Sequence, residues 1–246
     1  MLWVVRHGES AGNVARDCAE ATGAEMIDIA VRDMDVPLSP LGTRQAGALG
    51  HWLSRQSEHD RPTVILTSPY VRARQTALEA LRAAGRASDD VEHYVDERLR
   101  EREFGVLDRL TKTGILARHP EQAEHRAFLG KFYHRPPGGE SWCDVGLRVR
   151  NVMDALCRDF ADERVLIVTH QVVVAMFRYV LEALTEAEIL AISNESPLAH
   201  CSVTTFAQDP DKGRRGGLAL QSYNVVEPLV EEHQPVTTED DAPAAV

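Results

Sequence analysis

Three groups of residues in this 246-residue chain could do chemistry together. Arg6-His7 directly follows the apolar run Trp3-Val4-Val5, Arg72 lies just after Val64-Ile65-Leu66, and His170 closes Val165-Leu166-Ile167-Val168-Thr169. Short apolar runs of this kind read as buried strands. Strands of a parallel sheet all end on the same side, so Arg6, His7, Arg72 and His170 can meet in the crevice outside those ends. Such a set suits a tetrahedral dianion, because arginine presents paired donors to phosphate and histidine can donate or attack. Each member also has a plain alternative: a histidine that only hydrogen-bonds its own neighbourhood, or an arginine on the surface.

The elements that must position these residues follow from pattern. Ser39-Pro40 supplies an N-cap and a proline at the first helical position, opening a helix to about Arg55. A second helix carries Arg72, Ala73, Thr76, Ala77, Leu78 and Leu81, and residues 91–96 read as a weaker strand. From Glu140 to about Phe160, Trp142, Val145, Val149, Val152, Met153 and Leu156 step by three or four, as one face of a helix does. An apolar helix follows His170 through Leu184, Thr185 to Glu188 is a capping box, and Ser202–Phe206 and Leu218–Val225 read as the last two strands. Residues 14–38 read as irregular. Residues 104–139, with Pro120, Pro136, Pro137, Gly138 and Gly139, read as short helices and loops inserted as a cap or lid. Strands alternating with helices predict an α/β fold, a three-layer α/β/α sandwich on a mostly parallel sheet. Residues 1–229 are expected to form one domain, and the acidic residues 230–246 a disordered tail.

Composition narrows the function. The chain is 43% hydrophobic and 26% charged, which is ordinary for a globular protein, and its net charge is −11. Nucleic acid is therefore not expected as a partner, since phosphate backbones require a basic face. Over half of that charge lies after Val226, where six acids occur with no Lys or Arg, so a small anionic substrate remains compatible with the body. No apolar run approaches the roughly 20 residues of a membrane span. Leu2–Val5 is too short for a secretory leader, and the expectation is a cytoplasmic protein with no membrane partner. Cys18, Cys143, Cys157 and Cys201 lack metal-ligand spacing and read as reduced, mostly buried thiols. No metal and no cofactor are expected, and the oligomeric state is left open, a dimer included.

The motifs carry a more specific resemblance. Val5-Arg6-His7-Gly8-Glu9-Ser10 with Asn13 resembles the signature of the histidine phosphatase, or phosphoglycerate mutase-like, superfamily. Thr67-Ser68-Pro69-Tyr70-Val71-Arg72-Ala73-Arg74-Gln75-Thr76 is similar to its TSxxxRAxxT segment, and Leu99 to Gly105 to its LxExxxG segment. Asp35 to Gly42, Pro137 to Ser141 and Val168-Thr169-His170 match further stretches in family order. The resemblance spans residues 3 to about 206 and implies a phosphoglycerate mutase-like fold.

It also implies roles. His7 would be the nucleophile that forms a phosphohistidine, with Arg6, Arg72 and His170 holding the phosphoryl oxygens. Glu101 would be the general acid and base, with Glu103 as the competing position. Asn13 would add an amide donor, Ser10 would either reach substrate or cap the next turn, and Gln171 replaces a common glycine beside the substrate. Gly8 would allow close backbone approach to phosphate, or only pack. His200, where asparagine is common, would shape the pocket or pack. Residues 14–34 lack the segment that grips phosphoglycerate in glycolytic mutases, and the basic insertion after LxExxxG is absent, which favours hydrolysis over isomerisation. The expectation is a metal-independent phosphomonoester hydrolase acting on a small phosphorylated metabolite. The alternatives are a phosphoglycerate mutase-type phosphotransferase and a catalytically silent binder of a phosphorylated ligand. Specificity is expected from residues 14–34 and 104–139.

Overall fold

A computed structural model describes residues 1–86, 91–212 and 217–239. In chain order its elements are β1 (Leu2–Arg6), α1 (Ala11–Thr22), a 3-10 turn (Asp33–Asp35), α2 (Pro40–Arg55), β2 (Val64–Thr67), α3 (Val71–Ala83) and β3 (Glu92–Val95). The inserted region follows with α4 (Lys112–Arg118) and α5 (Pro120–Leu129). Then come α6 (Trp142–Asp159), β4 (Val165–Thr169), α7 (Gln171–Leu181), α8 (Glu186–Glu195), β5 (Val203–Asp209), β6 (Gly217–Val225) and α9 (Glu227–Glu231).

β1, β2 and β4 are buried along their whole length, which explains why every residue before the last of each strand is apolar. The sheet order is β3-β2-β4-β1-β5-β6; the first four strands are parallel, and β5 and β6 are antiparallel. Alternate residues of each strand serve opposite layers. Leu2, Val4, Val64, Leu66, Val165 and Ile167 pack on one face with Trp142, Val149, Val173 and Phe177 from α6 and α7. Trp3, Val5, Ile65, Leu166 and Val168 pack on the other with Leu49, Leu53, Ala73 and Ala77 from α2 and α3. This is the expected three-layer α/β/α sandwich. In register, Arg6 lies beside Thr169 and Thr67 beside Val168, so β1, β2 and β4 end level with one another.

Three expectations are corrected. Residues 14–38 are not wholly irregular, because α1 begins at Ala11 with Ser10 as N-cap and Asn13 closing a reciprocal capping box. Asparagine takes the place that Glu or Gln usually holds in that box, and Ala19 is the helix's one buried residue, so neither cap nor apolar face stands out. The segment after Val230 is placed through Glu239. Leu229 is buried against Ala46, Ala48 and Cys201, and Thr238 bridges Ala199. Hydrogen bonds rather than apolar burial hold it: Gln45 Nε2 donates to the Pro235 carbonyl at 3.0 Å and to Thr237 Oγ1 at 2.9 Å, and the His200 amide donates to the Thr237 carbonyl at 2.9 Å. Residues 240–246 of the expected tail lie outside the described residues. Of the four free cysteines only Cys201 is fully buried, while Cys18 and Cys157 are exposed on α1 and α6. No helix among the described residues is long and apolar enough to cross a membrane.

Candidate active site

The level strand ends place the chemistry. The His7 amide donates to the Thr169 carbonyl at 2.9 Å, and the Ser68 amide to the Val168 carbonyl at 3.0 Å, tying the three strand exits together. Gly8 follows because the chain leaving β1 passes against the first turn of α2: a Cβ on Gly8 would stand 2.6 Å from the Gly42 carbonyl oxygen, and one on Gly42 would stand 1.9 Å from the carbonyl oxygen of Glu9. Of the two readings of Gly8, this contact supports packing. Glu9 accepts the Ser39 hydroxyl at 2.6 Å and is a structural acceptor.

His7 is 3% exposed, and its Nδ1 lies 2.7 Å from the Gly8 carbonyl. A carbonyl can only accept, so Nδ1 carries the proton and Nε2 carries the lone pair. Arg72 Nε donates to that lone pair at 3.3 Å. Burial, then Arg72 and Arg6, push the His7 pKa well below its ordinary value, so the ring is neutral at pH 7. His170 is fully buried, its ring centroid 5.0 Å from that of His7, with Nε2 at 2.8 Å from Ser68 Oγ. Burial, Arg72 and His7 hold it neutral as well.

Glu101 and Glu103 separate clearly. Glu101 reaches within 3.5 Å of His170 Nδ1 and lines the cleft. Glu103 is exposed and does not line the cleft, accepting from Tyr70 Oη at 3.0 Å. The flanking arginines turn to Glu140: Arg100 Nη2 reaches its carboxylate at 2.5 Å and Arg102 Nε its carbonyl at 2.8 Å.

Arg6 is buried, donating to the Leu198 carbonyl and, at 3.0 Å, to Glu239. Arg72 donates to Asp33 Oδ1 at 3.0 Å and to Oδ2 at 3.1 Å. Asn13 accepts from the Ser10 amide at 2.8 Å and from its hydroxyl at 2.7 Å, leaving its own amide group to donate to Glu239. Ser10 lines the cleft, but its hydroxyl serves the cap of α1, the second of its two readings. Gln171 lines the cleft at the start of α7. His200 stands beside the site, its ring centroid 5.7 Å from that of His7 and its Nδ1 at 2.9 Å from Thr237 Oγ1.

Arg6, His7, Ser10, Asn13, Arg72, Glu101 and Gln171 line one cleft, about 880 Å³ of empty space with its opening to solvent included. Arg16, Ile27 and Asp33 line it from the segment after the first strand, and Leu107, Asp108 and Arg109 line it from the inserted region. Both segments expected to set specificity therefore face the same space. Arg109, in the left-handed region at φ 63°, belongs to this wall, whereas Arg118 pairs with Glu25 and Arg135 with Asp144. Arg16, Asp33 and Glu239 were not anticipated. Arg16 was within reach of sequence, since it follows Asn13 by three residues and a capped helix would put both on one face.

His7, Glu101 and His170 offer three ligand atoms within 4.8 Å of one another, the one such group among the described residues. The guanidiniums of Arg6 and Arg72 bring positive charge to the same place, which opposes a divalent cation and favours an anion.

The family model described as histidine phosphatase superfamily (branch 1) matches residues 2–218. The chain belongs to the histidine phosphatase superfamily. Its relatives include enzymes of two kinds. A 2,3-bisphosphoglycerate-dependent phosphoglycerate mutase of Methylobacterium radiotolerans is 31% identical over 226 residues, covering 87% of this chain and 99% of that one. The fructose-2,6-bisphosphatase TIGAR of Xenopus tropicalis is 31% identical over 66% of this chain and 51% of its own length. A bifunctional protein of Mycobacterium tuberculosis is 35% identical over 59% of this chain, and the match spans only 38% of that protein. Among superfamily structures, a mycobacterial glucosyl-3-phosphoglycerate phosphatase in complex with VO3 aligns with a TM-score of 0.67 and 27% identity, covering 91% of this chain and 98% of the other.

Proposed function

We propose that the protein is a metal-independent phosphomonoester hydrolase working through a phosphohistidine on a small phosphorylated metabolite. One observation carries this reading. The Gly8 carbonyl fixes the His7 tautomer so that Nε2, a neutral lone pair, faces Arg72 and lies beside His170 in an arginine-lined cleft.

In the first step His7 Nε2 attacks phosphorus, the N–P bond forms and the P–O ester bond breaks. Glu101 gives its proton to the departing alkoxide. Arg6, Arg72 and His170 hold the three other oxygens, where the charge of the transition state is spread. In the second step Glu101, now a carboxylate, takes a proton from water as that water attacks phosphorus. The N–P bond breaks, its electron pair returns to Nε2, and inorganic phosphate leaves. The two guanidiniums supply the positive charge that this chemistry needs.

The test is phosphate release from a phosphomonoester panel in EDTA, with His7→Ala as the blank. Glucosyl-3-phosphoglycerate and fructose 2,6-bisphosphate head the panel, because relatives bear those names. Release by the native chain and none by the variant supports the reading; release by neither overturns it. The likeness to a phosphoglycerate mutase across 99% of that enzyme favours one second reading, in which a sugar-acid hydroxyl replaces water as acceptor. Interconversion of phosphoglycerates without net phosphate release would identify it.

A further inference from the structure

The anion face of the cleft is already occupied by the chain itself. Both guanidiniums that the proposed chemistry assigns to a phosphoryl group are matched by internal carboxylates. Asp33 takes both terminal nitrogens of Arg72, and Glu239 takes Arg6 Nη2 at 3.0 Å. Asn13 Nδ2 donates to the same Glu239 oxygen, and Arg16 Nη1 to the other. The Glu239 side chain is only 11% exposed.

This carboxylate does not sit there on a loose end. The segment that delivers it is pinned at Pro235 and Thr237 by Gln45, at Thr237 by His200, and at Thr238 by the bridge to Ala199. Nothing apolar from residues 234–239 anchors it in the core clusters; the contacts are polar and exchangeable. Arg6 is 2% exposed, and its Nε has no partner. A desolvated guanidinium with a spare donor, an adjacent amide donor and a second arginine make the kind of site an oxyanion takes. Two carboxylate oxygens ask for the same donors as two phosphoryl oxygens do.

We propose that Glu239 is an internal stand-in for the substrate's phosphoryl group, and that residues 234–239 form a strap the substrate must displace from Arg6 and Asn13. The inference rests on the reading of Arg6 and Asn13 as phosphoryl-binding residues. Because anion and strap compete for the same donors, the apparent affinity for any phosphoryl ligand is lowered by the fraction of molecules in which the strap is seated. Anion binding then carries a second signature, release of the strap's backbone hydrogen bonds. Since Thr237 also holds His200 beside His7, release frees a buried ring at the nucleophile.

The test uses the full chain and inorganic phosphate as probe, titrated by calorimetry at fixed ionic strength. Glu239→Gln should bind phosphate about tenfold more tightly than the native chain. Glu231→Gln removes the same charge from α9, where Glu231 pairs with Arg55 away from the cleft, and should stay within about twofold of native. Thr237→Val, which loosens the strap without altering charge, should tighten binding by an intermediate factor. In the native chain, phosphate should speed amide hydrogen exchange over residues 234–239. Equal affinity in the native and Glu239→Gln proteins overturns the proposal. So does equal tightening by Glu231→Gln, which would reduce the effect to net charge, and so does protection of 234–239 by phosphate, which would make the segment close on its ligand. The two readings fail separately. Phosphoester turnover with unchanged phosphate affinity in Glu239→Gln removes the strap and leaves the hydrolase. Tighter phosphate binding in a chain that hydrolyses nothing on the panel keeps the strap and removes the hydrolase.

Discussion

Arg72 donates its Nε–H to the Nε2 lone pair of His7 across 3.3 Å, while its two terminal nitrogens hold Asp33. One guanidinium thus orients His7, the proposed nucleophile, and carries donors on the side where phosphate would sit in that reading. It also adds to the burial that keeps the imidazole neutral. A point charge cannot do all three. Arg72→Lys should lower kcat/KM by about 10² to 10³, in the range seen when one preorganised donor to a developing oxyanion is removed. Steady-state kinetics on the best panel substrate checks this, and a loss below tenfold would show that Arg72 is replaceable by charge alone.

Glu101 and Glu103 make an internal control. Glu101→Gln should cut kcat by about 10² to 10⁴ on alkyl phosphates. The loss should be smaller in the phosphorylation step of p-nitrophenyl phosphate, whose leaving group needs no proton. Rapid quench should then show phosphoenzyme accumulating, because the second step lacks its base. Glu103→Gln, exposed and bonded to Tyr70, should change kcat by less than about threefold, since no proton passes through it in the proposed reaction. Equal losses in the two variants would refute the assignment.

Stability should decline on the acid side of neutrality, and the sign follows from the buried imidazoles. His134 is buried beside Gln122, and burial, then Arg126 and Arg102, push its pKa down to about 4 from 6.5. The unfolded chain takes up a proton near 6.5 while the folded one stays neutral. Stability is therefore full above 6.5 and falls as pH drops toward about 4, by about 1.4 kcal/mol per pH unit for this group. His7, His170 and His200 act in the same direction. Denaturant melts between pH 7.5 and 4.5 should show a slope shallower by about that amount in His134→Gln. Parallel curves for the two proteins would remove His134 from the balance.

The backbone contact behind His7 is tight enough to test with one carbon. Gly42→Ala places a Cβ 1.9 Å from the Glu9 carbonyl oxygen, and backbone cannot rotate out of the way as a side chain does. The variant should lose about 2 kcal/mol or more of stability, as an overpacked site does, and the residue-8 turn should shift with it. Thermal unfolding checks the first effect and the loss of phosphate release the second. A variant as stable as native would mean that the α2 entry has slack.

Much of the site was legible because its residues sit at fixed offsets from strands that advertise themselves. Val165–Val168 and Leu2–Val5 are unbroken apolar runs, so the sequence alone sets His170 and His7 just beyond them. Trp142 to Leu156 kept its period, and α6 runs Trp142–Asp159 as its spacing suggested. What escaped was held by polar groups rather than apolar burial. α1 buries one residue, and its cap uses Asn13 where Glu or Gln is the recognisable signal. The segment through Glu239 is acidic and poor in core residues, yet it is held by Gln45, His200 and Ala199, partners about 40 to 190 residues distant that no local pattern connects to it. Long-range hydrogen bonds leave no periodic trace in a sequence.

The sheet order has a practical consequence for anyone handling this protein. β1 carries the chain from Met1 at one end of the sheet to His7 at the other, a distance of about 17 Å for five residues, whereas the antiparallel pair β5 and β6 and the helix after them return the chain to the cleft, which Glu239 lines. The two ends are therefore unequal as attachment points. A purification tag or fusion partner joined before Met1 projects from the far side of the sheet. The same tag joined after Val246 is tethered seven residues beyond Glu239, and a run of histidines there would place new imidazoles within reach of the arginines. Kinetic comparisons should be made on protein tagged at the first residue, or with the tag cleaved.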